Sequence, residues 1–177
     1  MKKIDGLEIV EYKNRIANIS VGASSLRNQG RKGLVEKTRK CLKKINLSKF
    51  NKYNFKKLLK IETKKMMKNA ELKFGSARKS LNLFLLQCSL DRCLSYYYKL
   101  NKILDQMELP LDSYTIKHLK NEAKNKHKLP KWDGIIHLKE ENNVIFQEFA
   151  KVLAEDKKIP RVYLDLIYWR KEIHELK

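Results

Sequence analysis

The sequence is poor in acidic residues, cysteine, proline and glycine, and it contains no long apolar run. Its 177 residues include 20 Asp and Glu against 40 Lys and Arg, a net charge of +20. No apolar stretch approaches the roughly 18 residues that would cross a bilayer, so we expect no membrane-spanning segment. The N-terminus, which begins Met1-Lys2-Lys3, lacks the apolar run of a signal peptide.

The cysteines and histidines are too few and too scattered to indicate a metal site. Cys41, Cys88 and Cys93 have neither the number nor the spacing of zinc or iron–sulfur ligands. The four histidines form no ligand pair at helical spacing. We therefore expect no metal and no cofactor. An odd number of cysteines without a disulfide pattern is typical of reduced thiols, which predicts a cytoplasmic protein.

The shortage of acidic residues predicts a polyanionic partner. Nucleic acid is the first choice for a chain with a pI near 9.8. A genome-wide preference for lysine would explain the choice of Lys over Arg, but it would not explain why acidic residues are few. A membrane surface is the competing polyanion. We favour nucleic acid, with DNA before RNA, and we expect a monomer that is associated with the nucleoid if its source is prokaryotic.

Apolar residues recur every three or four positions over most of the chain, which predicts a mainly α-helical, compact multi-helix protein. We expect helices over roughly 34–46, 52–70, 76–100, 139–156 and 160–174, and another that starts at Asp112 or Ser113. Short apolar alternations in residues 4–21 favour a short N-terminal β-hairpin. No linker or repeat divides the chain, so we expect residues 1–177 to form a single helical domain or two adjoining lobes.

The stretch that begins at Gly75 carries an unusual pair of cations. Gly75 and Ser76 are helix-start residues, which would place Arg78 and Lys79 in the first turn, where the helix dipole disfavours positive charge. The arrangement is sensible if Gly75, Ser76, Arg78 and Ser80 meet a DNA phosphate. It is also sensible if the amine of Lys79 must lose its proton easily. A solvated lysine in a lysine-rich chain is the plain alternative.

Two other segments have the composition of nucleic-acid contacts. Arg27, Asn28 and Gln29 lie in a small, glycine-punctuated segment, and their side chains suit base edges and phosphates. Lys131 and Trp132 lie in a cation-rich loop. We predict that all five contact DNA. A capped turn followed by an ordinary loop explains the first segment equally well.

Two short motifs occur in order in the middle of the chain. The first is Gly75-Ser-Ala-Arg-Lys-Ser-Leu-Asn-Leu83 and the second is Leu109-Pro-Leu-Asp-Ser-Tyr-Thr-Ile116. They resemble the Gly-x-Gly-Arg-Lys-Thr-Ala-Asn-x and Val-Pro-Val-Asp-Thr-His-Val segments of the helix-hairpin-helix base-excision DNA glycosylases. The 33 positions from Lys79 to Asp112 are most similar to the spacing in archaeal 8-oxoguanine glycosylases. The hairpin is degenerate, because Ala77 replaces its second glycine.

The resemblance implies a glycosylase-like helical fold, with the hairpin-like segment at 70–90, and a lysine-imine chemistry. In bifunctional members the lysine of the hairpin helix attacks the sugar C1′ of a flipped-out, damaged nucleotide. The aspartate before the next helix stabilises the cationic sugar and assists proton transfers. Lys79 and Asp112 occupy these positions. Asp112 also suits the N-cap of a helix, and the two roles do not exclude each other.

Three functions are therefore open. The first is an enzyme resembling a DNA glycosylase/AP lyase, with Lys79 and Asp112 as its catalytic residues. The second is a non-catalytic nucleic-acid-binding protein on the same scaffold, which needs only the basic surface. The third is an interaction module of a mobile element or a defence system. A sequence-specific repressor is disfavoured, because no segment shows a helix-turn-helix pattern with a polar recognition helix.

Overall fold

The structure is a computed structural model that describes residues 6–22, 26, 33–124 and 127–175, with side chains as far as residue 169. The described part is mainly α-helical and contains no strand, which confirms the prediction of a mainly α-helical, multi-helix protein. The helices in these ranges are α1 (Gly6–Ile19), α2 (Leu34–Lys43), α3 (Phe55–Asn69), α4 (Phe74–Leu90), α5 (Arg92–Tyr97), α6 (Ser113–Ala123), α7 (Glu140–Asp156) and α8 (Leu164–Glu175).

The N-terminal region is the helix α1, so the predicted β-hairpin is wrong. Its buried residues are Ile9, Lys13 and Ala17, which recur every four positions as on one face of a helix. Lys13 concealed this period because it is polar. Its ammonium group donates hydrogen bonds to the carbonyl oxygens of Lys43 (2.8 Å) and Ile45 (3.0 Å), at the end of α2. Burial lowers the pKa of Lys13.

Two apolar clusters hold the helices together. The first core is formed mainly by α1 to α5 and includes Ile9, Leu42, Phe55, Leu81 and Phe84. The second core is formed by α6, α7, α8 and the segment before α6, and it includes Leu109, Ile116, Phe146, Ala150 and Tyr168. Phe74 at the start of α4 packs against the second core, although the rest of α4 belongs to the first.

Short 3₁₀ turns join several of the helices. They span Leu47–Lys49, Leu100–Gln106, Ile135–His137 and Arg161–Tyr163. The long helix predicted from residue 76 ends at Leu90, earlier than expected, because Asp91 begins α5 by accepting a hydrogen bond from the backbone N–H of Leu94. Within the described ranges, none of the helices combines the length and the apolar character needed to cross a membrane.

Candidate functional site

The lysine and the aspartate of the two motifs meet in the folded protein. Lys79 Nζ lies 3.1 Å from Asp112 Oδ2, and the two side chains are 14% and 20% exposed. Lys79 comes from α4 and Asp112 precedes α6, so an ion pair closes across 33 positions of sequence. The partial exposure leaves the pair accessible to a ligand, whereas its partial burial strengthens its electrostatic interactions.

Asp112 uses its two carboxylate oxygens for two different purposes. Oδ1 accepts a hydrogen bond from the backbone N–H of Thr115 (2.8 Å) and so caps the N-terminus of α6. The Thr115 hydroxyl in turn accepts from the backbone N–H of Asp112 (2.8 Å), which completes a capping box. The other oxygen, Oδ2, faces Lys79. The cap therefore fixes the carboxylate in the orientation that pairs with the lysine.

The segment that carries Asp112 is held by buried polar side chains. Gln147 pairs with the backbone of Leu109, accepting from its N–H at 3.0 Å and donating to its carbonyl oxygen at 2.8 Å. Arg161 donates to the carbonyl oxygens of Gln106, Met107 and Gln147. Burial lowers the pKa of Arg161. These contacts fix the backbone just before Asp112, so the carboxylate is positioned by the fold.

A second carboxyl group, Asp165, faces the ion pair. It lies in the first turn of α8 and is 5% exposed. Burial and the negative charge of Asp112 raise its pKa to about 7, and the opposing charge of Lys79 only limits the rise. Near neutral pH this carboxyl is therefore poised between its neutral and its ionised form, as a proton donor or acceptor must be.

The sequence did not single out Asp165. An acidic residue in the first turn of a helix is an ordinary choice, because it complements the helix dipole. Its neighbours in sequence, Leu164 and Leu166, suggest only a helix that packs on a core. The feature that distinguishes it is its proximity to Asp112 and Lys79, and this comes from the docking of α8 beside α6.

The structure buries three of the residues predicted to contact a phosphate at the start of α4. Gly75, Ser76 and Ser80 are all buried, so a contact with DNA would require this end of the helix to become exposed. A Cβ atom on Gly75 would overlap the carbonyl oxygen of Ile135. Glycine is required there because the 3₁₀ turn at residues 135–137 approaches α4 closely, which is a packing reason.

The helix also begins earlier than the sequence pattern indicated. α4 starts at Phe74, so Lys79 is its sixth residue and lies beyond the first turn. The influence of the helix dipole falls off within that turn. The predicted effect of the dipole on the Lys79 amine is therefore not supported, and the charged group in contact with the amine is the Asp112 carboxylate.

Arg78 is buried as well, but some of the N–H groups of its guanidinium lack hydrogen-bond partners in the described part of the chain. Its Nε lies 3.6 Å from Glu108 Oε2, and its guanidinium carbon lies 5.3 Å from the centre of the Phe74 ring. Its Nε and Nη1 atoms have no hydrogen-bond partner among the described residues. The same Glu108 oxygen accepts from the side-chain amides of Asn82 (3.2 Å) and Asn143 (3.4 Å).

The other residues predicted to contact DNA differ in how exposed they are. Lys131 is exposed and pairs with Asp133 at 2.9 Å, which raises its pKa. Trp132 is half-buried, packs against the second core and donates from Nε1 to Ser113 Oγ at 3.1 Å. Both line an open pocket of about 670 Å³. Arg27, Asn28 and Gln29 lie outside the described residues, so their predicted contacts stay predictions.

Several aromatic side chains are available to stack on a base. Tyr96 is largely exposed and Tyr97 is half-exposed, whereas Tyr98 packs against the first core. Trp169 is 47% exposed and its ring centre lies 5.2 Å from that of Tyr114. Trp169 follows Asp165 by one helical turn of α8, so the two residues share a face. It is therefore an exposed aromatic side chain on the same helix as Asp165.

The described lysines of α3 form a basic surface. They are all exposed, and only two of them form ion pairs among the described residues, Lys60 with Glu140 and Lys65 with Glu62. The exposed lysines are Lys56, Lys57, Lys60, Lys64, Lys65 and Lys68. Among the residues with described positions, no group of three or more His, Cys, Asp and Glu side chains could hold a metal ion.

Comparisons of the chain with protein-family models, with curated proteins and with solved structures found no match. The case for a function therefore depends on the residues themselves and on the motif resemblance.

Proposed function

We propose that this protein is a DNA-processing enzyme of the glycosylase/AP lyase type, in which Lys79 forms an imine with the sugar. The observation that carries the proposal is the 3.1 Å contact between Lys79 Nζ and Asp112 Oδ2. Each residue came from a separate motif, and no regular pattern required that they meet. A carboxylate in contact with the amine can act as the general base that removes its proton, which nucleophilic attack by a lysine requires.

The chemistry assigns a separate task to each group. The ammonium group of Lys79 first loses a proton. The neutral amine then attacks C1′ as the glycosidic bond breaks, and the base leaves with the bonding electrons and takes up that proton. The nitrogen, now positively charged, loses a second proton, and its lone pair expels O4′, which takes up the second proton. The opened sugar is left as a protonated imine. Asp112 holds the amine and stabilises the cationic sugar. Asp165 is the group that can supply or remove protons near pH 7.

The charge distribution supports a nucleic-acid substrate. The net charge is +20, and the exposed lysines of α3 offer a surface for a phosphate backbone. Trp169 supplies a half-exposed ring beside Asp165 on which an extruded base could stack. We expect a modified or damaged base as the target, because such a base is extruded from the duplex at lower cost.

The alternative is a nucleic-acid-binding protein without catalysis. The observation that favours it is the burial of Gly75, Ser76 and Ser80, since the backbone contact of the hairpin in the resembling family would need this end of α4 at the surface. The basic surface alone would then account for binding, and the Lys79–Asp112 pair would only join α4 to the N-terminus of α6. Covalent trapping separates the two functions.

The test is borohydride trapping on oligonucleotides that carry an abasic site or an oxidised guanine. Borohydride reduces an imine to a stable amine, so the parent protein should form a covalent adduct that peptide mapping assigns to Lys79. Lys79→Gln should abolish that adduct and keep the affinity for DNA, because one cation in 40 contributes little to non-specific binding. Lys68→Gln, which removes an exposed lysine at the end of α3, is the matched control and should trap like the parent.

Exposed lysines can also react with abasic sites, so the position of the adduct decides the result. An adduct spread over many lysines, or undiminished trapping by Lys79→Gln, would contradict the enzymatic proposal. Intact binding of DNA in that case would favour the non-catalytic alternative.

A further inference from the structure

We propose that a small pocket between α3 and the starts of α4 and α7 binds a phosphate group. The pocket has a volume of about 210 Å³. Its charged lining residues are Lys60 and Lys64 from α3, Arg78 from α4 and Glu140 from α7. Neither Lys79 nor Asp112 lines it, so this site goes beyond the proposed imine chemistry and does not depend on it.

The charges in the pocket are not balanced. Glu140 Oε1 lies 2.9 Å from Lys60 Nζ, and this interaction lowers the pKa of the Glu140 carboxyl. The positive charges of Arg78 and Lys64 lower it further, which shows that both cations are close enough to act on the same carboxylate. With Glu108, which pairs with Arg78, three cations face two carboxylates. The excess of one positive charge matches a phosphodiester or a phosphate monoanion.

Arg78 adds a donor that the protein itself does not use fully. Its Nε and Nη1 atoms are buried and have no hydrogen-bond partner in the described part of the chain, and its ion pair with Glu108 is long at 3.6 Å. A buried guanidinium group normally has its N–H groups satisfied, so this arrangement needs an explanation. An arginine is well suited to a phosphate, because its planar fork matches the phosphate oxygens.

The rest of the lining indicates what the phosphate is attached to. Phe74 and Met67 give the pocket an apolar wall beside the cations. A wall of this kind suits a phosphate ester with a sugar or a base attached. The ester is either a nucleotide within DNA or a free nucleotide, and both sources present the same chemistry to Lys60, Lys64 and Arg78.

The first experiment measures the affinity for inorganic phosphate by titration calorimetry at constant ionic strength. The double variant Lys60→Gln/Lys64→Gln should lose about tenfold or more, because two charge-assisted contacts are removed. The control is Lys40→Gln/Lys44→Gln, which removes two exposed lysines at the same spacing in and just after α2. An equal loss in both double variants, or no binding of phosphate by the parent, would overturn the proposal.

Glu140→Gln gives a test of opposite sign. Its carboxylate competes with an entering anion, so its removal should raise the affinity for phosphate severalfold. An unchanged or lower affinity would contradict the assignment of the pocket. Lys79→Gln should bind phosphate like the parent, and this separates a failure of the pocket from a failure of the imine chemistry.

Binding of a labelled DNA duplex to the same variants distinguishes the two sources of phosphate. If the pocket holds a backbone phosphate, Lys60→Gln/Lys64→Gln will weaken DNA binding more than the control pair does. If it holds a free nucleotide, the two pairs will weaken DNA binding equally, and only the pocket pair will lose affinity for phosphate. Thermal melts of each variant exclude a loss of folding as the cause.

Discussion

Asp112 caps α6 and has the chemical task that we propose for it, and substitution can separate the two. Asn caps a helix about as well as Asp, so Asp112→Asn should keep the Thr115 contact and most of the stability. Asp112→Ala removes the cap and should lower the free energy of unfolding by about 1 kcal/mol more. Both variants lose the charge beside Lys79, so both should slow release of the base.

Denaturant unfolding and a base-release assay measure the two effects independently. If Asp112→Asn releases base as fast as the parent, the carboxylate has no part in the chemistry and its pairing with Lys79 is structural. If the Ala and Asn variants are equally stable, the cap contributes nothing.

Asp165 should make stability depend on pH. Its pKa is raised from 3.8 to about 7 in the folded protein, where Lys79 of α4 and Asp112 before α6 are the charges that face it. The folded state therefore holds the proton more tightly than the unfolded state. The resulting contribution to stability is complete below the ordinary pKa and is lost as the pH rises through about 7.

Asp165→Asn removes this titration. The free energy of unfolding of the variant, compared with that of the parent, should therefore increase as the pH rises from 4 to 8, by at most about 4 kcal/mol. Urea unfolding at several pH values measures the difference. Asp156→Asn, at the exposed end of α7, is the control and should show no such trend. A difference between Asp165→Asn and the parent that does not vary with pH would show that Asp165 is not held protonated.

At this scale the sequence predicted part of the site. Lys79 was noticed as a cation near a helix start and Asp112 as a helix cap, but only the motif resemblance paired them, since no periodic pattern connects positions so far apart. The burial of Ser76 and Ser80 could not be predicted, because small polar residues suit both a helix interior and a phosphate contact. Asp165 was missed for the reason that applies to long-range contacts in general, namely that tertiary packing creates them.

At the scale of elements, the junction between α4 and the 3₁₀ turn at 135–137 gives a prediction. A helical Gly→Ala substitution without a clash stabilises a protein by about 0.4–1 kcal/mol. Gly75→Ala should instead destabilise it by about 1–3 kcal/mol, because the new methyl group would overlap the backbone of Ile135 and the side chain of Leu138. Thermal or urea unfolding shows whether the substitution raises or lowers the stability. A stabilised variant would show that the turn does not pack on α4 as described.

The helices themselves were largely predictable. The apolar spacing gave α2, α3, α7 and α8 to within a few residues, and Asp112 marked the start of α6. The prediction failed at α1, where Lys13 occupies a buried position that an apolar residue would normally fill. Its ammonium group satisfies the carbonyl oxygens at the end of α2, so a polar residue stabilises the junction and hides the helical period.

At the scale of the whole molecule, the net charge of +20 predicts binding to DNA that depends strongly on salt. At low salt we expect dissociation constants from nanomolar to micromolar. If six or more phosphates are contacted, the affinity should fall by about a thousandfold or more between 50 and 200 mM salt. Titration of a labelled duplex at several salt concentrations checks this. A weak dependence on salt, or no binding at low salt, would exclude nucleic acid as the partner.

The ion pair of Lys79 and Asp112 connects the two cores. Lys79 belongs to a helix that packs mainly in the first core, whereas Asp112 follows Leu111 of the second. Proteins open in cooperative parts at a lower free-energy cost than complete unfolding. Opening of the second core alone would carry Asp112 and Asp165 away from Lys79 and leave the first core folded. Mild heat or denaturant would then abolish chemistry at this pair while most of the helices survived.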